Sequence, residues 1–123
     1  ILFAISLAQD VLVVATPEPT SLTDAYATIK VLATQQERRH VGLLVNQANR
    51  VGEGKLICGQ LQQVLQRFVG PAPGAGFKLE LLGEVKADPA VRQAVLKRQL
   101  MLEHYPGCDA AQAIKALAGK LLG

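Results

Sequence analysis

The sequence predicts an α/β fold, in which a mainly parallel β-sheet is flanked by helices to give three layers. Half of its residues are apolar but only 4% are aromatic, so the core has to consist of Leu, Val, Ile and Ala. An aliphatic core favours a layered α/β protein over an all-β sandwich. Three short apolar segments also alternate with segments of helical periodicity, which is typical of parallel strands joined by right-handed crossovers. With 123 residues, we expect a single domain over residues 1–123.

The predicted strands are three short segments. VLVVAT (residues 11–16) and VGLLVN (41–46) are nearly all apolar, as in parallel strands that are covered on both faces. KLELLGEV (78–85) shows some alternation of apolar and polar residues and predicts the third strand.

Helical periodicity separates these strands. ILFAISLAQ (1–9) predicts a helix or its last turns, and apolar spacing predicts a second helix from Leu22 to Arg38. Ser21 is the expected N-cap of that helix, with Asp24 in the place of a capping-box partner.

Three more helices are predicted in the rest of the chain. The first runs from about Leu56 to Val69 and is followed by the Gly- and Pro-rich connector GPAPGAG (70–76). The second covers residues 88–99, with Asp88 as N-cap and Pro89 at the first helical position. The third covers residues 110–123. The residues expected to face inward are Leu56, Leu61, Val64, Leu65 and Phe68 in the first of these helices and Ala110, Ile114, Leu117, Ala118 and Leu121 in the third.

Charge and cysteine content exclude several classes of protein. A net charge of +3 is too small to indicate a nucleic-acid-binding protein, and the basic residues are scattered apart from ERRH (37–40). Cys58 and Cys108 are far apart and fit reduced thiols better than a disulfide framework. No segment approaches the roughly 20 apolar residues of a membrane span. The chain has no initiating Met, so we expect that it starts within a longer protein.

Candidate binding residues follow each predicted strand. Ligands of open parallel sheets bind beyond the carboxyl ends of the strands, and there the chain has TPEPTS (16–21), NQANR (46–50) and EVKADP (84–89). Each loop also has a structural interpretation, because Pro, Asn and Asp are common in turns and helix caps. The chain has no GxxxxGK[ST] motif, and GEGK (52–55) lacks its spacing. Neither His40 nor His104 has a candidate nucleophile or metal partner.

Four segments carry a resemblance to a known family. AQDVLVVATPEPTSLTDAYATIKVL (8–32) resembles the segment after the Walker B region of MinD/ParA-type ATPases, in particular the flagellar-number regulators of the FlhG/FleN type. VGLLVNQANRVGEG, LLGEVKADPAVRQAV and CDAAQAIKALAGKLL resemble successive later segments of the same proteins. The resemblance therefore covers essentially the whole chain. It implies a partial P-loop NTPase fold that lacks the N-terminal P-loop half.

The resemblance also implies roles for individual residues. Asn46 matches the family's Asn that reads the adenine edge, a task that suits an amide because it offers a donor and an acceptor. VKADP (85–89) matches the segment that borders the base and ribose, which implies contacts from Asp88 and Pro89; Lys86 stands where the family usually has Pro. The loop with Pro17 and Glu18 is implied to lie at the nucleotide face.

The implied function is that of part of an ATPase that regulates the number or placement of flagella. The resemblance implies that the longer protein binds ATP or ADP with Mg²⁺. The family's Walker A and Walker B motifs are absent from this chain, so we expect this chain to be inactive alone. The resemblance implies a cytoplasmic protein with peripheral membrane contact, homo-oligomers and flagellar or polarity proteins as partners. Without the N-terminal strands, the sheet has an exposed edge, which predicts self-association. We expect the last helix to pack on the sheet rather than to contact a membrane.

Two other functions fit the sequence. One is a non-catalytic module whose helices bind a partner protein. The other is part of a chromosome- or plasmid-partitioning ATPase that binds DNA, for which the weak and scattered positive charge is unfavourable.

Overall fold

The computed structural model of the chain describes residues 10–35, 39–69 and 77–123. Three parallel strands form its sheet in the order β1-β2-β3. They are β1 (Leu12–Ala15), β2 (His40–Ala48) and β3 (Lys78–Lys86). All three predicted strands are therefore present. The predicted helix over 1–9 and the connector 70–76 lie outside the described residues.

The described helices cover both faces of the sheet, which confirms the three-layer α/β fold. They are α1 (Pro19–Thr34), α2 (Glu53–Val69), α3 (Pro89–Leu96), α4 (Met101–His104) and α5 (Asp109–Leu122). Helices α1 and α2 pack on one face, and α5 packs on the other. None of the helices in the described part is long and apolar enough to span a membrane.

The larger core lies between the sheet and helices α1 and α2. Its largest fully buried side chains are Ile29 and Leu32 of α1, Val41, Leu43 and Val45 of β2, and Leu65 of α2. These residues recur at helical spacing in α1 and at every second position in β2, as their elements require. The aliphatic core predicted from composition is thus formed.

The smaller core lies on the opposite face, beneath α5. Leu44 and Val85 from the sheet meet Ala110 and Leu117 from the helix, and partly buried residues such as Leu82 pack around them. The face is not fully covered: Val14 of β1 is 54% exposed, so the expectation that this strand is covered on both faces was wrong. The packing of α5 on the sheet agrees with the prediction for the last helix.

The start of α1 differs from the prediction. The helix begins at Pro19, with Glu18 in the extended conformation as its N-cap, and not at Leu22 after Ser21. The physical reason is that Pro at the first helical position has its φ angle already set and no N–H to satisfy. Ser21 lies inside the helix, where its Oγ accepts a hydrogen bond from the Thr16 N–H at 2.9 Å. Asp24 is therefore not a capping-box residue.

Two helical faces were predicted correctly only in part: Leu61 and Leu65 of α2 and Ala110 and Leu117 of α5 are buried as predicted. Helix α2 begins at Glu53 rather than Leu56, and it buries Ile57, Cys58, Leu61 and Leu65, which leaves Leu56 52% exposed. Val64 is likewise exposed, and in α5 Ala118 and Leu121 face solvent while Leu117 is buried. In each case the buried stripe is rotated around the helix axis relative to the prediction.

The segment after β3 contains two further differences. Helix α3 ends at Leu96 instead of residue 99, because Arg98 adopts the left-handed conformation with φ +54°. The short helix α4 follows in a segment for which no element was predicted. The predicted N-cap Asp88 and Pro89 at the start of α3 are confirmed.

Candidate functional site

A cavity of about 900 Å³ lies at the carboxyl ends of the three strands. Parallel topology brings the loops after all three strands to this one edge. Its lining residues are Pro17, Glu18, Asn46, Gln47, Asn49, Val85, Lys86, Ala87, Asp88, Pro89, Val91, Arg92 and Val95. All six residues that the sequence indicates as binding residues are among them, so the structure brings them together.

The loop after β1 has a fixed shape. The hydrogen bond from the Thr16 N–H to Ser21 Oγ closes it, and the Leu22 N–H donates to the Glu18 carbonyl at 3.0 Å to start α1. Pro17 is half-buried between these two bonds, whereas the Glu18 side chain is exposed. The hydroxyl and the prolines of this loop thus hold Pro17 and Glu18 at the rim of the cavity.

The loop after β2 contains an irregularity that shapes the cavity. Gln47 has φ +57°, and the pairing of β2 with β3 shifts between Asn46 and Ala48. The half-buried Asn46 side chain uses Oδ1 to accept a hydrogen bond from the Gln47 N–H at 2.9 Å. Among the described residues, its Nδ2 has no hydrogen-bond partner. This amide can therefore still donate to a ligand, and Oδ1 retains a second lone pair.

The loop after β3 is anchored by Asp88. Its Oδ1 accepts from the Ala90 N–H at 2.9 Å and so caps α3, and its Oδ2 accepts from the Ala110 N–H at 3.0 Å in the first turn of α5. These backbone hydrogen bonds, that of Ala110 first, lower the pKa of the Asp88 carboxyl group. The Ala87 N–H donates to the Ala48 carbonyl at 2.9 Å, which ties this loop to the end of β2.

Helix α3 contributes cavity residues that the sequence analysis missed. Val91, Arg92 and Val95 line the cavity together with the two loops above. Their positions, four and three residues apart, lie on one face of a helix, and this spacing was the available signal. Gln47 and Asn49 were also not singled out, although they belong to the NQANR loop.

The charges in the cavity are mixed. Glu18 and Asp88 are acidic, and Lys86 and Arg92 are basic. Neither of these two cations forms an ion pair or a side-chain hydrogen bond within the described part of the chain. The lining also includes amide side chains and the apolar side chains of Val85, Val91 and Val95, so its chemistry suits a flat ring with polar edges.

Neither GEGK nor the histidines form a second site in the described residues. The Gly54 N–H at the start of α2 donates to Glu84 Oε1 at 3.3 Å, so a carboxylate already lies at this helix N-terminus. His40 Nε2 lies 3.5 Å from Glu80 Oε1 on the surface of the sheet. No group of three or more His, Cys, Asp or Glu residues in the described ranges is placed to hold a metal ion.

Three known proteins are similar to this chain. The antiactivator FleN of Pseudomonas aeruginosa is 38% identical over 114 residues, which is 93% of this chain and 39% of FleN. The flagellum site-determining protein YlxH of Helicobacter pylori is 27% identical over 91% of this chain and 36% of YlxH. An uncharacterised ATP-binding protein of Methanocaldococcus jannaschii is 30% identical over 99% of this chain and 41% of that protein. No protein-family model matches the chain.

The chain thus spans about two fifths of the length of the curated relatives it matches. Two of these relatives are named for flagellar roles or antiactivation, and the third is named for ATP binding. These similarities confirm the resemblance that the four sequence segments indicated.

Proposed function

We propose that the chain is part of a flagellar regulator of the MinD/ParA type and that it forms the adenine side of the ATP-binding site. In this proposal, a longer protein supplies the phosphate- and Mg²⁺-binding residues and regulates the number or placement of flagella. The chain itself contributes the loops that border the base and ribose, together with surfaces for interaction.

The observation that supports this proposal is the convergence of three loops on one cavity. Pro17 and Glu18 follow β1, Asn46 follows β2, and Lys86 to Pro89 follow β3. The three loops are separated by long stretches of sequence, so their meeting at one cavity is a property of the fold. A volume of about 900 Å³ lies within the range of small-molecule sites, about 300–1,000 Å³.

Asn46 and Asp88 have different tasks in the proposed site. The Asn46 amide is free to donate through Nδ2 and to accept through Oδ1, so it can read the edge of an adenine ring. Both Asp88 oxygens already accept backbone N–H groups. We therefore assign Asp88 the positioning of the loop, and the backbone of Lys86 and Ala87 the contacts to the base or ribose.

A ligand series tests the proposal on this chain. We expect adenosine, AMP and ATP with Mg²⁺ to shift the same backbone amide NMR signals, those of residues 46–49 and 86–92, with millimolar affinities that differ by less than threefold. Guanosine should bind more weakly. If ATP binds more than about tenfold more tightly than adenosine, the chain also binds phosphate, and the proposal that it contributes only the adenine side is wrong. If adenosine shifts none of these signals, the cavity is not an adenine site.

A variant isolates the adenine contact. Asn46→Ala should weaken adenosine binding by roughly tenfold, because one amide pairing contributes about 1–1.5 kcal/mol. Gln60→Ala, which removes an exposed amide from α2, is the matched control and should have no effect. Equal affinities of Asn46→Ala and the unaltered chain would show that Asn46 does not read the base.

Three further properties belong to the proposal for the longer protein: a cytoplasmic location, peripheral contact with the inner face of the cell membrane, and homo-oligomers. Strand β1 supports the last of these, because it is an edge strand of the described sheet and its Val14 side chain is largely exposed. A sedimentation-velocity series should show concentration-dependent association, and a monodisperse monomer at high concentration would contradict it.

A further inference from the structure

Strand β3 is an edge strand of the described sheet, so one side of its backbone has no neighbouring strand there. On the other side it pairs with β2, and the Lys78 N–H donates to the Arg39 carbonyl at 2.8 Å. Successive residues of a strand direct their backbone groups to opposite sides, so those of Phe77, Leu79 and Leu81 point away from β2. These are the groups with which a further strand would pair.

Gln62 of α2 already occupies two of these groups. Its Oε1 accepts a hydrogen bond from the Leu79 N–H at 2.7 Å, and its Nε2 donates to the Phe77 carbonyl at 3.1 Å. A side-chain amide offers a donor and an acceptor, as a peptide group does. The half-buried Gln62 side chain therefore forms the pair of hydrogen bonds that a peptide group of a neighbouring strand would form.

The preceding turns of α2 continue this cover along β3. The Cys58 thiol donates to the Leu79 carbonyl at 3.6 Å, and the backbone of Leu81 is also hydrogen-bonded to this sulfur. One turn earlier, the Gly54 N–H donates to Glu84 Oε1 at 3.3 Å. Positions 54, 58 and 62 are four residues apart and so lie on one stripe of the helix. This stripe follows β3 from its start to Glu84.

Strand β1, at the opposite edge of the described sheet, differs from β3. The Gly42 N–H donates to the Val11 carbonyl at 3.0 Å, so the backbone groups of Leu12 and Val14 are those that point away from β2. The Val14 side chain beside them is 54% exposed. The accessible edge of the described sheet is therefore at β1, and the covered one is at β3.

We propose that Gln62 closes the β3 edge against the addition of a further strand, with support from Cys58 and Lys120. A strand with accessible backbone groups is a template for pairing with another chain, and natural proteins block such edges, often with lysine. Here the Lys120 Nζ donates to the Leu82 carbonyl of β3 at 2.8 Å. Pairing with a strand of a second copy is thereby confined to β1. This role goes beyond the proposed adenine site and does not depend on it.

The first test removes the amide. Gln62→Ala should self-associate at a concentration at least about tenfold lower than the unaltered chain, because a strand of a second copy can then form the two lost hydrogen bonds. Sedimentation velocity measures the association, and circular dichroism confirms that the variant is folded. Gln63→Ala is the matched control, since Gln63 is exposed at the next position of α2. It should associate as the unaltered chain does.

A second variant separates closure of the edge from a merely structural role. Gln62→Lys cannot accept the Leu79 N–H, so it should unfold at a lower urea concentration than the unaltered chain, as Gln62→Ala should. Its charge nevertheless opposes strand addition, so it should associate no more than the unaltered chain. Both variants are also compared in a Val14→Lys background, in which a charge on β1 suppresses pairing through that edge.

Hydrogen exchange of the Leu79 amide gives an independent measurement. In dilute solution, this amide should exchange at least about tenfold faster in Gln62→Ala than in the unaltered chain, because its hydrogen-bond acceptor is gone. At high concentration the exchange should become slow again, since a strand of a second copy protects the amide.

Several results would overturn the proposal. They are equal association of Gln62→Ala and Gln63→Ala, equal association of Gln62→Ala and Gln62→Lys, and association that occurs only where circular dichroism shows unfolded protein. A Leu79 amide that still exchanges fast at high concentration would do the same. None of these measurements involves a nucleotide, so they succeed or fail independently of adenosine binding at the cavity.

Discussion

The two faces of the sheet are built differently. On one face, thirteen buried residues from the strands and their ends and from α1 and α2 form a continuous core within the described structure. On the other face, four buried residues form a smaller core, two of them from the sheet and two from α5. Neighbouring residues of one strand thus have different environments: Leu43 is completely buried in the larger core, and Leu44 belongs to the smaller one.

This difference shows where the stability of the described structure lies. Burial of aliphatic side chains is the main favourable term in folding, so the face with α1 and α2 contributes most of it. On the other face, α5 meets the sheet through small residues such as Ala110 and is also held by hydrogen bonds at Asp88 and at Leu82. We therefore expect α5 to open more readily than α1 or α2.

The two cysteines give the most sensitive measure of this difference. Cys58 is buried in the larger core, where burial raises the pKa of its thiol, whereas Cys108 is partly exposed at the start of α5. Because the thiolate is the reactive form, Cys58 should react with a thiol reagent at least about 100-fold more slowly than Cys108 under native conditions. Single Cys→Ser variants would assign the two rates. Similar rates would show that the larger core opens as readily as α5.

A pair of leucine variants compares the faces directly. Leucine-to-alanine changes in cores cost about 2–5 kcal/mol, more where the cavity cannot collapse. We expect Leu43→Ala to lie near the upper end of that range and Leu44→Ala near the lower end, because Leu43 is completely buried in the larger core and Leu44 is 8% exposed in the smaller one. Urea unfolding measures both values. Equal losses would mean that the two cores are equally tight.

The attachment of α5 should depend on pH through Asp88. Because the pKa of its carboxyl is lowered in the folded chain, the unfolded chain takes up the proton first as the pH falls. The stabilisation is thus fully present above the unfolded value, about 3.9, and is lost as the pH falls through the lower folded value. The Asp88→Asn variant should have a lower free energy of unfolding at neutral pH, and this free energy should fall less on acidification than that of the unaltered chain. Circular dichroism measures the acid unfolding of both proteins. If the unaltered chain and Asp88→Asn lose the same stability on acidification, the role of Asp88 is refuted.

The smallest effect is expected at Gly42, which faces the smaller core. A Cβ there would lie 2.6 Å from Leu82 Cδ1, the flexible end of a half-buried side chain. Leu82 can move aside, and alanine restricts the unfolded chain, so Gly42→Ala should change the free energy of unfolding by less than about 1 kcal/mol. The urea midpoint measures it. A loss as large as that of Leu44→Ala would show that this face is rigid.

The strands and the position of the site could be predicted from the sequence because both depend on short-range patterns. Buried parallel strands require apolar runs, and the runs at 11–16, 41–46 and 78–85 coincide with the strands to within a few residues. Once the strands are parallel, their following loops have to meet at one edge, so the order of the elements alone predicts that Asn46 and Asp88 lie near each other. Asp88 and Pro89 also carry an unambiguous helix-start signal.

The remaining features depend on tertiary packing. A rotation of α2 about its axis decides whether Leu56 or Ile57 faces the sheet. Both residues border a broad apolar stripe, so the spacing of apolar residues alone does not determine this rotation. Arg92 lines the cavity because of the direction in which α3 leaves the sheet, and the sequence does not predict that direction. Ser21 has the hydroxyl of a good cap, but that hydroxyl is used by Thr16 in the preceding loop.

Asp88 connects the rim of the cavity to the last helix, because it caps α3 and also accepts a hydrogen bond from the first turn of α5. The helix extends about 15 Å from Ala110, whose N–H donates to Asp88 at the cavity rim, to Lys120, whose Nζ donates to the Leu82 carbonyl of β3 at 2.8 Å. We therefore expect a ligand that displaces the rim at Asp88 to move the N-terminus of α5, while Lys120 holds the other end of the helix on β3.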